Sequence, residues 1–166
     1  MKGLCKDVIV HETKQDADSV GVVMDFAMQQ HCGDYTVETR GQRLYDITAA
    51  VEAVAKAAQV ETGLVTVFCR HTSCSLLINE NADPDVRHDL EAFVKRLVPD
   101  GDPAFIHTLE GPDDMAAHIK TALTATSLSI PVTDGRMALG TWQGIYLFEH
   151  RKAPHRRNIV VHVLGA

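Results

Sequence analysis

The stretch LVTVFCRHTSCSLLINENADP, residues 64–84, predicts two strands and a helix start in immediate succession. Leu64 to Phe68 is a β-branched run that is typical of a buried strand, and Ser75 to Ile78 indicates another. Asp83 and Pro84 then mark the start of a helix, because Asp is a good N-cap and Pro is favoured at the first helical position. The rest of the chain extends this pattern in both directions.

The segment after Pro84 predicts a helix with one apolar face, then a loop and a second helix. The loop covers residues 100–112, which are rich in turn-forming Gly, Pro and Asp, and a loop of that length in a compact domain is often functional. Asp113 or Asp114 is expected to cap the second helix, which runs to about Leu123. The apolar face of the first helix consists of Val86, Leu90, Phe93, Val94 and Leu97.

Upstream of this stretch the pattern predicts an N-terminal arm, a strand and a helix. Ser19 to Gln30 has helical apolar spacing and Gly33 is expected to end that helix, so residues 1–33 form the predicted arm. Tyr35 to Thr39 alternates as a strand does, and Thr48 is the expected N-cap of the helix AAVEAVAKAA.

The C-terminal part predicts a run of strands. Asp134-Gly135 is a strong hairpin signal. Strands, helix, strands, two helices and more strands do not follow the regular alternation of a doubly wound sheet. The order predicts a single α+β domain over residues 34–166 with a mainly antiparallel sheet. The four strand-like segments are residues 128–132, 136–139, 145–150 and 158–164.

Composition narrows the classes of function. The chain has 166 residues and a formal net charge of -6, whereas nonspecific duplex binding and docking on anionic lipid need a surplus of Lys and Arg. No apolar run reaches the length of a membrane-spanning helix, and charges interrupt the N-terminus too early for a signal peptide. We therefore expect a cytoplasmic protein that binds neither nucleic acid nor membranes. Buried or half-buried free thiols are expected at Cys5, Cys32, Cys69 and Cys74.

Two polar segments directly follow predicted strands, residues 70–74 (RHTSC) and residues 79–83 (NENAD). Polar groups massed at strand ends are typical of sites, because a rigid strand fixes their position. The alternative is turn chemistry, since Asn, Asp and Ser also favour turns. For Asn81 and Asp83 the two interpretations carry equal weight.

A third polar segment, residues 111–120, places Asp114 and His118 on one helix face at positions i and i+4. Such a pair can bind a metal or orient a proton transfer, but spacing alone favours a capping Asp beside a surface His. The chain has nine histidines, and His71 and His150 also lie at strand ends. Because no short motif such as HExxH links them, a metal site would have to be assembled in three dimensions.

Glycines flank the only tryptophan in the segment GTWQG, residues 140–144. Backbone amides there can form an anion nest, or the segment is a β-bulge with Trp142 in the core. Neither a Walker A sequence nor GxGxxG is present, so those two types of nucleotide binding are unsupported. Five basic side chains either attract a phosphate or diphosphate or form a solvated turn: Arg151, Lys152, His155, Arg156 and Arg157.

Several of these segments together resemble the YjbQ-like family. The resemblance covers the chain from about Tyr35 to the C-terminus and leaves residues 1–33 outside it. Cys74 is a mild departure, since a small residue such as Ala or Ser is expected there. The matching segments are His71-Thr72-Ser73 with Leu76, residues 78–86 (INENADPDV), 110–115 (EGPDDM), 118–120 (HIK), 135–136 (GR), 139–147 (LGTWQGIYL) and 149–151 (EHR).

The resemblance implies an α+β fold whose mixed, mainly antiparallel sheet curls into a half-barrel with helices packed on it. It also implies a homotrimer and a secondary thiamine phosphate synthase activity. That transferase reaction joins a pyrimidine methyl diphosphate to a thiazole phosphate and releases diphosphate. A small phosphorylated metabolite is therefore the expected partner.

Under this resemblance, His71, His118 and His150 are expected to surround a divalent metal, with zinc as the candidate. Three imidazoles with an open position suit Lewis-acid work. Asp114, His118 and Glu80 form the expected catalytic group, in which Asp114 orients His118 or completes the metal shell. The residues expected to hold substrate or its phosphate are Asn79, Asn81, Lys120, Arg136, Gly140, Thr141, Trp142 and Gln143.

Two other functions use the same residues. A metal-dependent hydrolase or phosphatase acting on a small phosphorylated compound would employ the same metal and anion groups, with bound water as the nucleophile. A non-catalytic trimer would hold a metabolite or a metal without turnover.

Overall fold

The computed structural model describes residues 27–166, and these contain three helices and eight strands. The helices are α1 (Thr48–Ala57), α2 (Pro84–Leu97) and α3 (Asp114–Leu123). Within this part of the chain, no helix is long and apolar enough to cross a membrane. The strands are β1 (Gln29–Thr39), β2 (Arg43–Asp46), β3 (Gly63–Cys69), β4 (Cys74–Glu80), β5 (Ser127–Thr133), β6 (Arg136–Met137), β7 (Gln143–Glu149) and β8 (His155–Gly165).

The strands form two antiparallel sheets that curl around one core. The larger sheet has the order β1-β8-β3-β5-β6 and the smaller has the order β2-β7-β4. A bridge between Leu76 of β4 and Ala125, just before β5, connects the two sheets and closes part of a barrel. The predicted α+β class, with a mainly antiparallel sheet curled into a half-barrel, is confirmed.

Strand β7 is the middle strand of the smaller sheet, and both of its faces are buried. Ile145 and Leu147 point into the core between the sheets, whereas Tyr146 and Phe148 belong to a second apolar cluster under α2. Successive side chains of a strand face opposite sides, so cover on both faces explains the unbroken apolar run. This cover holds β7 firmly and fixes the positions of the residues that follow it.

Helix α2 begins as predicted, because the Asp83 carboxylate accepts a hydrogen bond from the backbone N–H two residues later, at 2.9 Å. Only part of its predicted apolar face is buried. Leu90 and Val94 pack on the small sheet, but Phe93 and Leu97 are more than half exposed. The small sheet is only three strands wide, so it covers one edge of the helix and leaves the other edge open.

Gly33 does not end a helix, and that prediction is wrong. It lies inside β1, where an added Cβ would meet Val54 Cγ1 of α1 at 2.9 Å. Glycine is therefore needed for the close approach of α1 to the strand. Residues 29–33 pair with the end of β8, and residues 19–26 of the predicted helix lie outside the described residues.

Thr48 does not act as a side-chain cap for α1, which corrects a second local prediction. Its hydroxyl instead accepts the backbone N–H of Ile145 at 2.8 Å and so ties the helix start to β7. The predicted hairpin at Asp134-Gly135 is confirmed. Both residues have positive φ, 52° and 70°, as a two-residue type I′ turn requires.

A buried ion pair joins β7 to β8. Arg157 Nε lies 2.7 Å from Glu149 Oε2, and Thr39 Oγ1 donates to the same oxygen at 2.7 Å. The other oxygen, Oε1, accepts the Arg157 Nη2 group and the backbone N–H of Arg151. Burial raises the pKa of the Glu149 carboxyl, but these hydrogen bonds and the Arg157 charge outweigh it, so the pKa is lowered.

Candidate functional site

The start of α3 carries a cluster of one carboxylate and two imidazoles. Asp114 is almost fully buried, and its Oδ2 lies 2.7 Å from His107 Nε2 and 3.2 Å from His118 Nε2. His118 is one helical turn further on, on the predicted shared face, whereas His107 comes from the loop before α3. One ligand atom from each residue lies within 4.8 Å of the others. Across residues 27–166, this is the group whose spacing suits a metal ion.

Arg151 covers the other side of Asp114. Its guanidinium bonds to Asp114 Oδ1, to Asp113 Oδ2 at 3.1 Å and to the Glu110 carbonyl at 2.8 Å. Burial raises the pKa of the Asp114 carboxyl, but the hydrogen bond with His107 and the neighbouring positive charges outweigh it, so the pKa is lowered. Asp114 is therefore a carboxylate at neutral pH, the form that binds a metal.

A backbone carbonyl sets the direction of the His118 ring. Its Nδ1 lies 2.9 Å from the Thr72 carbonyl oxygen, which can only accept a hydrogen bond. Nδ1 therefore carries the hydrogen, and Nε2 faces Asp114. Histidine ligands of metals commonly donate their other N–H to a carbonyl or carboxylate in this way. The nitrogen and oxygen donors and the anchored ring fit a divalent metal such as zinc.

Sequence reasoning missed His107, although it lies in the loop that was predicted to be functional. Its side chain is 43% exposed and borders an open cleft of about 360 Å³. It lies seven positions before Asp114, and no motif spacing connects the two. The contact depends on a turn at Gly111, where φ is 106°, so only the path of the loop brings His107 over the start of α3.

The structure does not bring His71 and His150 to this cluster. His71 Nε2 accepts the backbone N–H of Asn158 at 2.7 Å, and His150 Nε2 lies 2.9 Å from Ser75 Oγ. Burial, followed by the charge of Lys120, lowers the pKa of His150 to about 3. Each ring thus has one nitrogen engaged where its strand ends, and the buried Nδ1 of His150 has no hydrogen-bond partner among the described residues. Of the three predicted imidazole ligands, only His118 belongs to the cluster.

A second group of predicted site residues lines an open cleft of about 540 Å³. Trp142 is 65% exposed, which excludes the interpretation of a core tryptophan. An exposed indole beside amides and a carboxylate suits a planar ring with polar substituents. The residues that line the cleft are Ile78, Asn79, Glu80, Ala82, Trp142 and Gln143.

The loop around Trp142 is held by its own polar groups. Gly140 N–H donates to Gln143 Oε1 at 2.8 Å, and Asn81 N–H donates to the Trp142 carbonyl at 2.9 Å. The Asn81 side chain also donates to the Gln143 carbonyl, at 3.2 Å. Asn81 therefore positions the loop rather than lining the cleft, and the Gly140 amide is not free to form an anion nest.

Three other predicted substrate contacts lie away from the cleft. Lys120 is buried and pairs with Asp100 Oδ1 at 3.2 Å, so its charge is already matched. Arg136 lies on the edge strand β6 and is exposed, and Thr141 is exposed in the loop. Neither of these lines the cleft.

The five C-terminal basic residues separate in the structure and do not form one phosphate site. Arg151 binds Asp114, Lys152 Nζ lies 2.9 Å from Asp100 Oδ2, and Arg157 binds Glu149. His155 and Arg156 border a different open cleft, of about 420 Å³, at the β1–β8 edge.

The cluster and the Trp142 cleft lie at opposite ends of β4. Thr72, whose carbonyl holds His118, precedes the strand, whereas Glu80 is its last residue. At about 3.3 Å per residue, a strand of this length separates its ends by about 20 Å. A small metabolite therefore cannot contact both groups of one chain.

The fold and the cluster define a class of protein, a small α+β half-barrel with a candidate metal centre at the start of a helix. The chain belongs to the family described as UPF0047 protein YjbQ-like, whose sequence profile matches residues 34–166. The resemblance inferred from the sequence motifs is thereby confirmed.

Relatives and solved structures agree with this assignment. The UPF0047 protein sll1880 of Synechocystis sp. is 50% identical over 137 residues, which are 82% of this chain and 93% of the relative. The UPF0047 protein YjbQ of Escherichia coli O157:H7 is 49% identical over 107 residues, 64% of this chain and 77% of the relative. A crystal structure of a YbjQ-like protein of unknown function from Sulfolobus solfataricus P2 matches with a TM-score of 0.77 at 26% identity, covering 84% of this chain and 99% of that one. The hypothetical protein APE1520 from Aeropyrum pernix K1 matches with a TM-score of 0.75 at 32% identity, covering 81% and 98%.

Proposed function

We propose that the chain is a cytoplasmic, metal-associated enzyme of the thiamine phosphate synthase type, in which His107, Asp114 and His118 hold a divalent metal, with zinc as the candidate. The observation that supports this proposal is the cluster itself, whose nitrogen and oxygen donors lie within 4.8 Å of one another. A metal bound there supplies Lewis-acid stabilisation of phosphate oxygens. The sequence resemblance supplies the reaction, the coupling of a pyrimidine methyl diphosphate to a thiazole phosphate.

Release of diphosphate is the difficult step of this coupling, and each residue of the cluster has a separate part in it. Negative charge builds up on the departing oxygen and needs fixed positive charge or donors nearby. Arg151 keeps Asp114 ionised and in place, and Asp114 directs both imidazoles. His107, which is half-exposed beside the open cleft of about 360 Å³, would hold the metal at the edge of this cleft, where the charge of the metal would stabilise a departing phosphate oxygen.

The Trp142 cleft holds the ring end of the substrate in this proposal, with Glu80 beside it. Since about 20 Å separates the cleft from the cluster along β4, one substrate meets both groups only where two copies of the chain adjoin. The homotrimer implied by the resemblance provides such junctions. Exposed apolar side chains are available to be buried there: Phe93, Leu97, Ile106 and Leu109.

Zinc content and thiamine phosphate formation, measured on the same purified samples, test the metal centre. We expect His107→Ala and His118→Ala to weaken zinc binding by at least about 100-fold and to abolish formation of thiamine phosphate from its two phosphorylated halves. The matched control is His88→Ala, which removes an exposed histidine of α2 and leaves both quantities unchanged.

The outcomes separate the competing functions. Unchanged zinc content in both variants would reject the metal centre. Zinc binding with phosphate release from small esters, and no coupling, would indicate a hydrolase. Tight binding of a phosphorylated metabolite without any turnover would indicate a binding protein.

Mixed assemblies test whether the site is shared between copies. Asp114→Asn and Glu80→Gln are each expected to be inactive, because each removes one half of the site. When the two variants are unfolded and refolded together at equal amounts, a shared site regains about one quarter of the wild-type rate, the random-pairing value. Light scattering checks for a trimer, and inactivity of confirmed mixed trimers would reject the shared site.

A further inference from the structure

Two buried thiols meet beneath the turn that connects β3 to β4. Cys69 is the last residue of β3 and Cys74 is the first residue of β4. Their Sγ atoms lie 3.3 Å apart, and both side chains are almost completely buried. The Cys69 sulfur also lies 3.6 Å from the Cys74 carbonyl oxygen. Cys residues that only fill a core need no such contact, whereas here each sulfur has the other sulfur as a polar neighbour.

The two thiols differ in their tendency to ionise. The hydrogen bond from the Cys74 thiol lowers the pKa of Cys69, and the nearby Arg157 guanidinium acts in the same direction against burial. That hydrogen bond and burial both raise the pKa of Cys74. The pair thus contains one sulfur suited to attack and one that keeps its proton, which is the division of roles in thiol–disulfide chemistry.

We propose that Cys69 and Cys74 form a reversible disulfide whose closure alters the setting of His118. A disulfide needs an S–S distance of about 2.05 Å, so the sulfurs must approach by about 1.3 Å from 3.3 Å. Residues 70–73 form the turn between the two cysteines, so this turn must move with them. The Thr72 carbonyl in that turn accepts the His118 Nδ1 hydrogen at 2.9 Å, so the movement reaches the candidate metal centre directly.

The oxidant in this proposal is a hydroperoxide. The Cys69 thiolate attacks the terminal peroxide oxygen, the O–O bond breaks, and the leaving oxygen takes up a proton as water or alcohol. The Cys74 sulfur then attacks the resulting Cys69 sulfenic acid, the S–O bond breaks, and a second water leaves with the Cys74 proton. The two sulfurs together lose two electrons, which the peroxide bond accepts, and a dithiol reductant reverses the change.

The turn offers a route to the buried sulfurs. Arg70 and Thr72 are exposed, and the turn is tied down by a few hydrogen bonds at its surface. Arg70 N–H donates to the Asn158 carbonyl at 3.2 Å, and Asn158 N–H donates to His71 Nε2 at 2.7 Å. A segment held this way opens locally without unfolding the sheet, so a small peroxide reaches the pair more slowly than it reaches an exposed thiol.

Mass mapping of the full chain tests the disulfide. A Cys5→Ser/Cys32→Ser background leaves Cys69 and Cys74 as the only thiols. Trypsin cleaves after Arg70, between the two cysteines, so an internal disulfide links two tryptic peptides. After hydrogen peroxide treatment we expect this linked pair, complete loss of alkylatable thiol, and full recovery of both thiols with dithiothreitol. Thiols that stay alkylatable, or that oxidise to sulfinic acids without a link, would overturn the proposal.

The effect on His118 has its own readout, which does not depend on a metal or on the proposed reaction. Imidazole NMR resonances of metal-free protein are compared before and after oxidation, with the exposed His88 as the internal reference. We expect the His118 resonances to shift while those of His88 stay in place, and both to be unchanged in a peroxide-treated Cys74→Ala variant. A disulfide that forms without shifting the His118 resonances would reject the effect on His118 but not the Cys69–Cys74 disulfide itself. Failure of zinc binding would bear only on the proposed function.

Discussion

Glu149 and Asp114 are both buried carboxylates that accept hydrogen bonds from an arginine. Their remaining partners differ, and the difference suggests a structural role for Glu149 and a functional role for Asp114. Both oxygens of Glu149 are taken by fixed donors from Arg157, Thr39 and the Arg151 backbone. Asp114 Oδ1 accepts a hydrogen bond from the Arg151 side chain, whereas its Oδ2 faces His107 and His118. A carboxylate with saturated, permanent partners holds strands together. A carboxylate whose partners are half-exposed imidazoles can exchange them for a metal or a proton.

Arg151 connects these two environments. Its backbone N–H donates to Glu149 at 2.9 Å, while its guanidinium reaches Asp114. Arg151, two residues after the end of β7, therefore connects the rigid Glu149–Arg157 pair to the candidate metal centre. Four predictions test whether the two carboxylates differ as described.

The largest effect is expected from Arg157→Met, which leaves Glu149 buried without its main partner. Breaking a buried ion pair on one side typically costs about 3–5 kcal/mol, so the free energy of unfolding should fall by that amount in urea titrations. Arg156→Met is the matched control, because the neighbouring side chain points to solvent, and its effect should stay within about 0.5 kcal/mol. Equal effects of the two changes would contradict a structural role for the Glu149 pair.

Asp114→Asn should cost less stability but remove the function of the cluster. The Asn side chain keeps the shape and loses charged hydrogen bonds, a change of about 1–3 kcal/mol in the free energy of unfolding. Zinc binding, measured by calorimetry, should fall by at least about 100-fold. A stability loss as large as that of Arg157→Met, with zinc binding retained, would reverse the roles assigned to the two carboxylates.

The dependence of stability on pH should distinguish the contribution of the buried His150 imidazole from those of Glu149 and Asp114. The folded-state pKa of His150 is about 3, below the unfolded value of about 6.5. The unfolded chain then binds more protons, so stability is fully present above pH 6.5 and falls as the pH decreases towards 3. Between pH 6.5 and 5, where Glu149 and Asp114 remain ionised, the loss from His150 should be about 1–2 kcal/mol.

His150→Gln should flatten this part of the curve, since it keeps a polar partner for Ser75 without a group that titrates there. Chemical unfolding at a series of pH values gives the slope, and His88→Gln on the surface should leave it unchanged. Carboxylates with lowered pKa, Glu149 and Asp114, lose their contribution only at lower pH, as the pH falls from the unfolded value of about 4 through their folded values. An unaltered slope in His150→Gln would show that other groups set the acid sensitivity.

The smallest effect is expected from Thr39→Val, which removes one of the donors to Glu149 but leaves the Arg157 pair intact. Because the other donors to Glu149 remain, the loss of this one buried hydrogen bond should lower the free energy of unfolding by about 1 kcal/mol, the typical value for a single hydrogen bond. Thr36→Val, on the exposed side of β1, is the control and should change it by less than about 0.5 kcal/mol. A neutral result for Thr39→Val would mean that the Glu149 oxygens are not saturated as described.

Local signals in the sequence predicted the elements of the fold. The LVTVF run, the Asp83-Pro84 helix start and the Asp134-Gly135 turn each act within a few neighbouring residues, and each appears in the structure. The predictions that were wrong depend on distant partners. Gly33 makes room for a helix, and the Thr48 hydroxyl bonds to a strand far along the chain.

The sequence by itself determined the α+β class, the family and the shared helix face of Asp114 and His118. Helix periodicity, turn chemistry and motif order each depend on short stretches of sequence, so they can be recognised without the structure. Only the tertiary structure decided that His107 completes the cluster, that His71 and His150 lie elsewhere, and that the Trp142 cleft is a full strand length away. These outcomes depend on the path of a loop and on the direction of strand ends. Such features arise when the whole chain packs, and no spacing between neighbouring residues encodes them.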